Sequence, residues 1–150
     1  MSYILYMEDD GLLALVRLDQ WEEDDHSSDE IRHAANLPSA LAIIEEHGPP
    51  SLIISDFEFP GKTPRSGGID LLAHVTRHYP DIPFFFQSSH DVLPILSAVQ
   101  AQGLHLRADH VYQKSVPLSQ IVLYANYLAA LQQGRDVPVP DRRPRGLRLA

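Results

Sequence analysis

Glu8 and Asp9, Asp56, Ser88 and Lys114 each follow or close a short apolar run: Tyr3-Ile4-Leu5-Tyr6-Met7, Leu52-Ile53-Ile54-Ser55, Phe84-Phe85-Phe86-Gln87 and Val111-Tyr112-Gln113. Three carboxylates brought to one place repel one another, and the cluster is costly without a cation. Hard oxygen ligands suit Mg²⁺, which makes Glu8, Asp9 and Asp56 candidate metal ligands. Lys114 adds a second positive charge and Ser88 a hydroxyl donor. A cation, a lysine and a hydroxyl around one carboxylate form a site for an anion with several oxygens. Phosphoryl transfer needs such a charge clamp, because its catalysis is mainly positioning and electrostatics. Asp56 is then the candidate nucleophile, since carboxylates can form aspartyl-phosphate intermediates.

These groups meet only if the runs are parallel strands whose carboxyl ends share one edge. The pattern predicts a strand over 2–7 and then a helix carrying Leu12, Leu13, Leu15, Val16 and Leu18, with Trp21 near its end and Asp10 as cap. The charged run 22–30 reads as an exposed helix end and loop, and 30–34 as a strand. A helix over 36–47, capped by Asn36, stops at Gly48-Pro49-Pro50. The strand 51–56 follows, then a long loop over 57–68. A helix starts at Ile69 and ends before Pro80. A strand over 83–87, a helix capped by Asp91 and closed by Gly103, and a strand over 110–113 come next. The last helix is expected to be capped by Ser115, with Pro117 in its first turn and Leu118, Ile121, Val122, Ala125, Leu128 and Leu131 on its buried side.

This alternation, with right-handed crossovers, gives an α/β fold: a five-stranded parallel sheet, doubly wound and flavodoxin-like. The two most hydrophobic strands belong at its centre, because interior strands of parallel sheets are covered on both faces. The charged strand 30–34 belongs at an edge. Ligands of such sheets bind at the carboxyl ends of the strands.

The 150-residue length suits one domain with a proper core. No apolar run approaches a membrane span, no signal-peptide core opens the chain, and cysteine is absent, all of which fit a cytoplasmic protein. Residues 134–150 hold five arginines against Asp136 and Asp141, a net of +3, so residues 1–133 carry −11 of the overall −8. An acidic body argues against nucleic acid as a partner. The division expected is a domain over 1–133 and a basic, Pro/Arg-rich, flexible tail over 134–150.

Taken together, Ile4-Leu5-Tyr6-Met7-Glu8-Asp9-Asp10, Ile53-Ile54-Ser55-Asp56 with Pro60-Gly61, Ile82-Pro83-Phe84-Phe85-Phe86-Gln87-Ser88-Ser89 and Ala108-Asp109-His110-Val111-Tyr112-Gln113-Lys114 resemble the four motifs of the response-regulator receiver domain, in order and at about the family spacing. The resemblance covers about residues 3–133. It implies a single-domain response regulator of two-component signalling, a phosphoprotein rather than an enzyme. Asp56 would accept a phosphoryl group from a histidine kinase or phosphotransfer protein. Glu8, Asp9, Asp56 and the backbone carbonyl of Glu58 would hold Mg²⁺, while Ser88 and Lys114 would bind the phosphoryl oxygens. Ser89 would leave access, and Glu58 and His90 would tune dephosphorylation. The signal would pass by contact to a downstream protein, and the family's habit of pairing through the fourth helix, fifth strand and fifth helix implies a homodimer surface.

The chain departs from the family pattern where its switch would lie. Ser115 follows Lys114 in place of proline, and Val111 holds the aromatic switch position, with Tyr112 beside it. These departures motivate an alternative, a pseudo-receiver that binds proteins without cycling phosphate. A phosphatase of the haloacid-dehalogenase type fits worse, since Glu58 and Pro60 stand where that family has aspartate and Thr or Val.

Overall fold

The computed structural model describes residues 2–57, 67–89 and 91–140. Glu58 and its carbonyl, Lys62 and Arg65 of the long loop, His90, and 141–150 of the basic tail lie outside the described residues. The elements follow as β1 (Ile4–Met7), α1 (Gly11–Glu23), β2 (Ile31–Ala34), α2 (Leu37–His47), β3 (Leu52–Asp56), α3 (Gly68–His78), β4 (Phe84–Ser88), α4 (Val92–Ala101), β5 (Val111–Gln113) and α5 (Leu118–Gln132), with single 3₁₀ turns before β2 and β5. The strands form one parallel sheet in the order β2-β1-β3-β4-β5. No helix among the described residues is long and apolar enough to cross a membrane.

Strand alternation divides the core between two faces. Leu5, Met7, Ile53, Phe84 and Phe86 meet α2, α3 and α4 on one face, and Ile4, Tyr6, Ile54 and Phe85 meet α1 and α5 on the other. The apolar run of β3 is buried throughout, as is that of β4, and each is paired on both sides; β2 is an edge strand, as its charge predicts. Each fully buried phenylalanine contributes about 2–3 kcal/mol by its transfer from water.

Asp10 and Asn36 cap α1 and α2 as expected, accepting from the amides of Leu13 at 3.0 Å and Ser39 at 2.9 Å. Asp91 stands at the N-cap position of α4. The last helix departs from expectation. Pro117, not Ser115, is its N-cap residue, and Ser115 lies in a turn closed by Val116 N–H donating to the Gln113 carbonyl at 3.0 Å. That turn consumes the residues a cap would need. Leu131 is exposed, and Tyr124 and Ala130 take the buried side with Leu118, Ile121 and Ala125.

The apolar side expected for α1 is buried only in part: Trp21 is buried and Leu18 packs against the same core. Leu12, Leu15 and Val16 are exposed, while Ala14, Arg17 and Trp21 face the sheet. Helix α3 is pressed onto the strand that carries Asp56. A Cβ on Gly68 would come within 2.5 Å of the Asp56 carbonyl oxygen, 2.5 Å of Phe86 Cε1 and 2.7 Å of Ser55 Oγ. Two of these neighbours are backbone and a buried ring with no room to retreat. Gly68→Ala is therefore expected to destabilise the fold by about 2 kcal/mol, seen as a lower denaturant midpoint with an unchanged slope.

Candidate functional site

The register fixes how the polar ends converge. Met7 pairs with Ser55 and Asp56 with Gln87, while Ser88 pairs with Gln113, so Glu8, Asp56, Ser88 and Lys114 leave the sheet at one edge. Ligand oxygens of Glu8, Asp9 and Asp56 lie within 4.8 Å of one another. Asp9 is exposed; Glu8, Asp56 and Ser88 are buried. Neighbouring backbone holds Glu8 in place. Its N–H donates to the Ala34 carbonyl at 2.9 Å, and His33 Nε2 reaches its carbonyl at 2.8 Å.

Lys114 crosses from the far side of the sheet. Its Nζ stands 2.9 Å from Asp56 Oδ1 and 3.3 Å from Glu8 Oε1. The Lys114 N–H donates to the Ser88 carbonyl at 3.1 Å, so the turn that carries the lysine is laid against the end of β4. Two buried carboxylates share one ammonium. Burial pushes the Asp56 carboxyl up to about 7; the Lys114 hydrogen bond pulls against that rise and the Glu8 charge adds to it. Burial by itself would lower the Lys114 ammonium, but the hydrogen bond and charge of Asp56, with Glu8 behind them, raise it instead.

Glu8 Oε2 is buried with no hydrogen-bond partner among the described residues. An orphaned carboxylate oxygen costs free energy unless something satisfies it. It lies with the Asp9 and Asp56 oxygens in a set of hard donors, and this set fits a divalent cation coordinated by oxygen. It is the cluster of metal-ligand type found among the described residues. His74 and His78, spaced to share a helix face, pack their rings against each other at 4.5 Å, and His78 also lies near the Tyr79 ring.

Val111 and Tyr112 point to opposite faces, as alternation requires: Val111 joins the core under α4, and Tyr112 packs near Phe85 and Tyr124. The described peptide bonds are all trans, including the one that joins Lys114 to Ser115. Two polar residues beside the site were not anticipated from sequence. Gln87 is buried and its Nε2 donates to the Val116 carbonyl at 3.0 Å. Arg17 is buried too and donates to the carbonyls of Lys114 and Val116. The signal available for Arg17 was its spacing, three residues after Ala14 and four before Trp21, on one helix face.

No protein-family model matches the chain, and neither does any curated protein. Solved structures do match. A two-component transcriptional regulator, AraC, from Clostridium phytofermentans ISDg is 23% identical, over 91% of this chain and 100% of that one, with a TM-score of 0.63. The receiver domain of NtrX from Brucella abortus is 21% identical over 83% of this chain and 95% of that one, with a TM-score of 0.59. A response regulator from Burkholderia pseudomallei, solved with a phosphorylated aspartic acid, a calcium ion and citrate, is 16% identical over 93% and 78%, with a TM-score of 0.60. The architecture is that of a response-regulator receiver domain.

Proposed function

We propose that the protein accepts a phosphoryl group on Asp56 from a phosphohistidine of a histidine kinase or phosphotransfer protein, and signals by protein contact. The observation that carries this reading is one ammonium, Lys114 Nζ, shared by Asp56 and Glu8 beside the orphaned Glu8 Oε2. In the transfer, an Asp56 carboxylate oxygen attacks phosphorus and the bond from phosphorus to imidazole nitrogen breaks. The imidazole leaves with the electron pair and takes up a proton. Lys114 and Ser88 receive the phosphoryl oxygens, where charge develops. Glu8, Asp9, Asp56 and the Glu58 carbonyl would hold Mg²⁺, which neutralises charge on the phosphoryl group when bound. The exposed apolar stripe of Leu12, Leu15 and Val16 begins within one helical turn of Asp9 and Asp10 and offers a seat to the protein that brings the phosphohistidine. In this reading the protein works in the cytoplasm, and it is a phosphoacceptor rather than an enzyme with turnover.

Intact-mass measurement after incubation with acetyl phosphate and Mg²⁺ tests it. The wild type gains one phosphoryl group and Asp56→Asn gains none. No gain in the wild type, or the same gain in Asp56→Asn, sinks the reading. The turn over Gln113–Val116 and the core position of Val111 favour the second reading, a pseudo-receiver that binds proteins without phosphate cycling. A Mg²⁺ titration separates the two, because a pseudo-receiver has no Mg²⁺ site for Asp9→Asn to remove.

A further inference from the structure

Helix α1 turns Ala14, Arg17 and Trp21 to the sheet. Two of these are ordinary core residues, and the third is a cation with 6% of its surface exposed. Burying a guanidinium among aliphatic and aromatic neighbours costs free energy that an apolar side chain of similar volume would avoid. Its fork is spent on backbone: Nη1 donates to the Lys114 carbonyl and Nη2 to the Val116 carbonyl. Gln87 Nε2, also buried, donates to the Val116 carbonyl from β4. Both donors thus converge on one short stretch, the turn that carries Lys114. The turn's own closure is one hydrogen bond, from Val116 N–H to the Gln113 carbonyl, and Ser115 at its tip is exposed.

A lysine presents its charge at the end of a stem with four rotatable bonds, so its aim depends on how well its backbone is held. The Lys114 ammonium reaches two carboxylates, Asp56 at the end of β3 and Glu8 just past β1, from the four-residue turn Gln113-Lys114-Ser115-Val116. An arginine fork spans two carbonyls that are two residues apart; a lysine in its place would offer a single point of contact. Arginine at 17 thus matches the geometry of what it touches.

We propose that Arg17 is a positioning residue of the Asp56 site: a two-pronged clamp on the Lys114–Val116 backbone that aims Lys114 at Asp56 and Glu8. This rests on the reading of Asp56 as phosphoryl acceptor, and it links α1, whose outer face is open to a partner, to the group that receives the phosphoryl oxygens.

The test uses two independent readouts on wild type, Arg17→Met and Arg17→Lys. Lys62 and Lys114 are the lysines of the chain, so amine labelling followed by peptide mapping reads Lys114 against Lys62 without any ligand. Arg17→Met is expected to raise Lys114 labelling relative to Lys62 about tenfold, since losing its aim frees the ammonium from its carboxylates, an effect of the size of one hydrogen bond. An unchanged ratio overturns the proposal. In saturating Mg²⁺, beryllofluoride binding should weaken about tenfold in Arg17→Met, while Mg²⁺ affinity should rise rather than fall, because a lysine freed from Glu8 and Asp56 no longer competes with the metal. In a Lys114→Ala background, Arg17→Met should cost nothing more, because it acts through the lysine. An equal loss in both backgrounds marks a merely structural arginine and overturns the proposal. Arg17→Lys should fall between wild type and Arg17→Met in both readouts, and it carries the test if circular dichroism shows Arg17→Met unfolded. If the wild type takes up no beryllofluoride, it is the phosphoryl reading that fails, and the labelling ratio still decides the role of Arg17.

Discussion

At pH 8 and without divalent cations, Asp56→Asn is expected to melt at a higher temperature than the wild type, by about 10 °C, and the gap should close as the pH falls toward 4. The sign follows from the Asp56 carboxyl, which burial raises from 3.8 to about 7. A carboxyl with a raised value holds its proton more tightly in the folded chain than in the unfolded one. The stability this contributes is fully present below the unfolded value and is lost as pH rises through the folded value. At pH 8 the wild type therefore carries the whole cost of a charge in a site with 7% exposure. The rise converts to about 4 kcal/mol at 1.36 kcal/mol per unit, and a chain of this size melts roughly 2–4 °C higher per kcal/mol. Asparagine keeps the shape and drops the charge. Both proteins share every other titrating group, so the difference between their melting curves at pH 4.5, 6 and 8 isolates Asp56. Coincident melts at pH 8 would show that the carboxylate ionises there without cost. Adding Mg²⁺ at pH 8 should stabilise the wild type more than Asp56→Asn, because a ligand of the folded state stabilises by mass action and the variant has lost one carboxylate of its site. A phosphoacceptor that is costly to ionise is thus poised to take a cation, and the destabilised state is the price of a nucleophile kept ready.

The sequence carries the frame of this site and leaves out its electrostatics. The runs Leu52–Ser55 and Phe84–Gln87 read correctly as interior strands because a parallel sheet covered on both faces demands unbroken apolar side chains. The right-handed crossover then sends every strand's carboxyl end to the same edge, and Glu8, Asp9, Asp56, Ser88 and Lys114 gather there without knowledge of a single side-chain rotamer. Helix α1 shows where this logic stops. Leucine and valine at 12, 15 and 16 mark an apolar side, yet they are exposed, and the helix buries Ala14 and Arg17 beside the expected Trp21. Hydropathy records what a side chain prefers, whereas burial records which side chains meet a neighbouring element. The arginine satisfies carbonyls of a turn 97 and 99 residues away, a partnership with no local signature. Ser115 was misjudged for a similar reason. A hydroxyl before Val116-Pro117 has the composition of a helix cap, but the backbone closes a turn there first, and the helix begins two residues later. The Asp56 value near 7 was beyond reach from sequence, because it depends on burial and on where Lys114 Nζ comes to rest.

That ammonium is the subject of the remaining large effect. Lys114→Ala is expected to move three quantities in different directions. First, fold stability at pH 8 should fall by about 2 kcal/mol, since two buried carboxylates lose their shared cation; the figure is discounted for the partial exposure of the lysine side chain, 31%. This loss should fade by pH 5, where a proton on Asp56 replaces the ammonium as the neutralising charge. Second, Mg²⁺ affinity should rise about tenfold, because the lysine and the metal compete for Glu8 and Asp56 oxygens and a unit charge at this separation counts for a few kcal/mol even with partial screening. Third, beryllofluoride binding in saturating Mg²⁺ should weaken by about a hundredfold, the loss of one charge-assisted contact to the phosphoryl oxygens. Calorimetric titration of Mg²⁺ and then beryllofluoride, alongside melts at pH 5 and 8, reads all three. A lysine that served only as a structural counter-ion would lower stability and Mg²⁺ affinity together and leave no separate loss for the anion. The opposed signs are what a lysine gives when it guards the carboxylates at rest and turns to the phosphoryl group once the metal has taken its place.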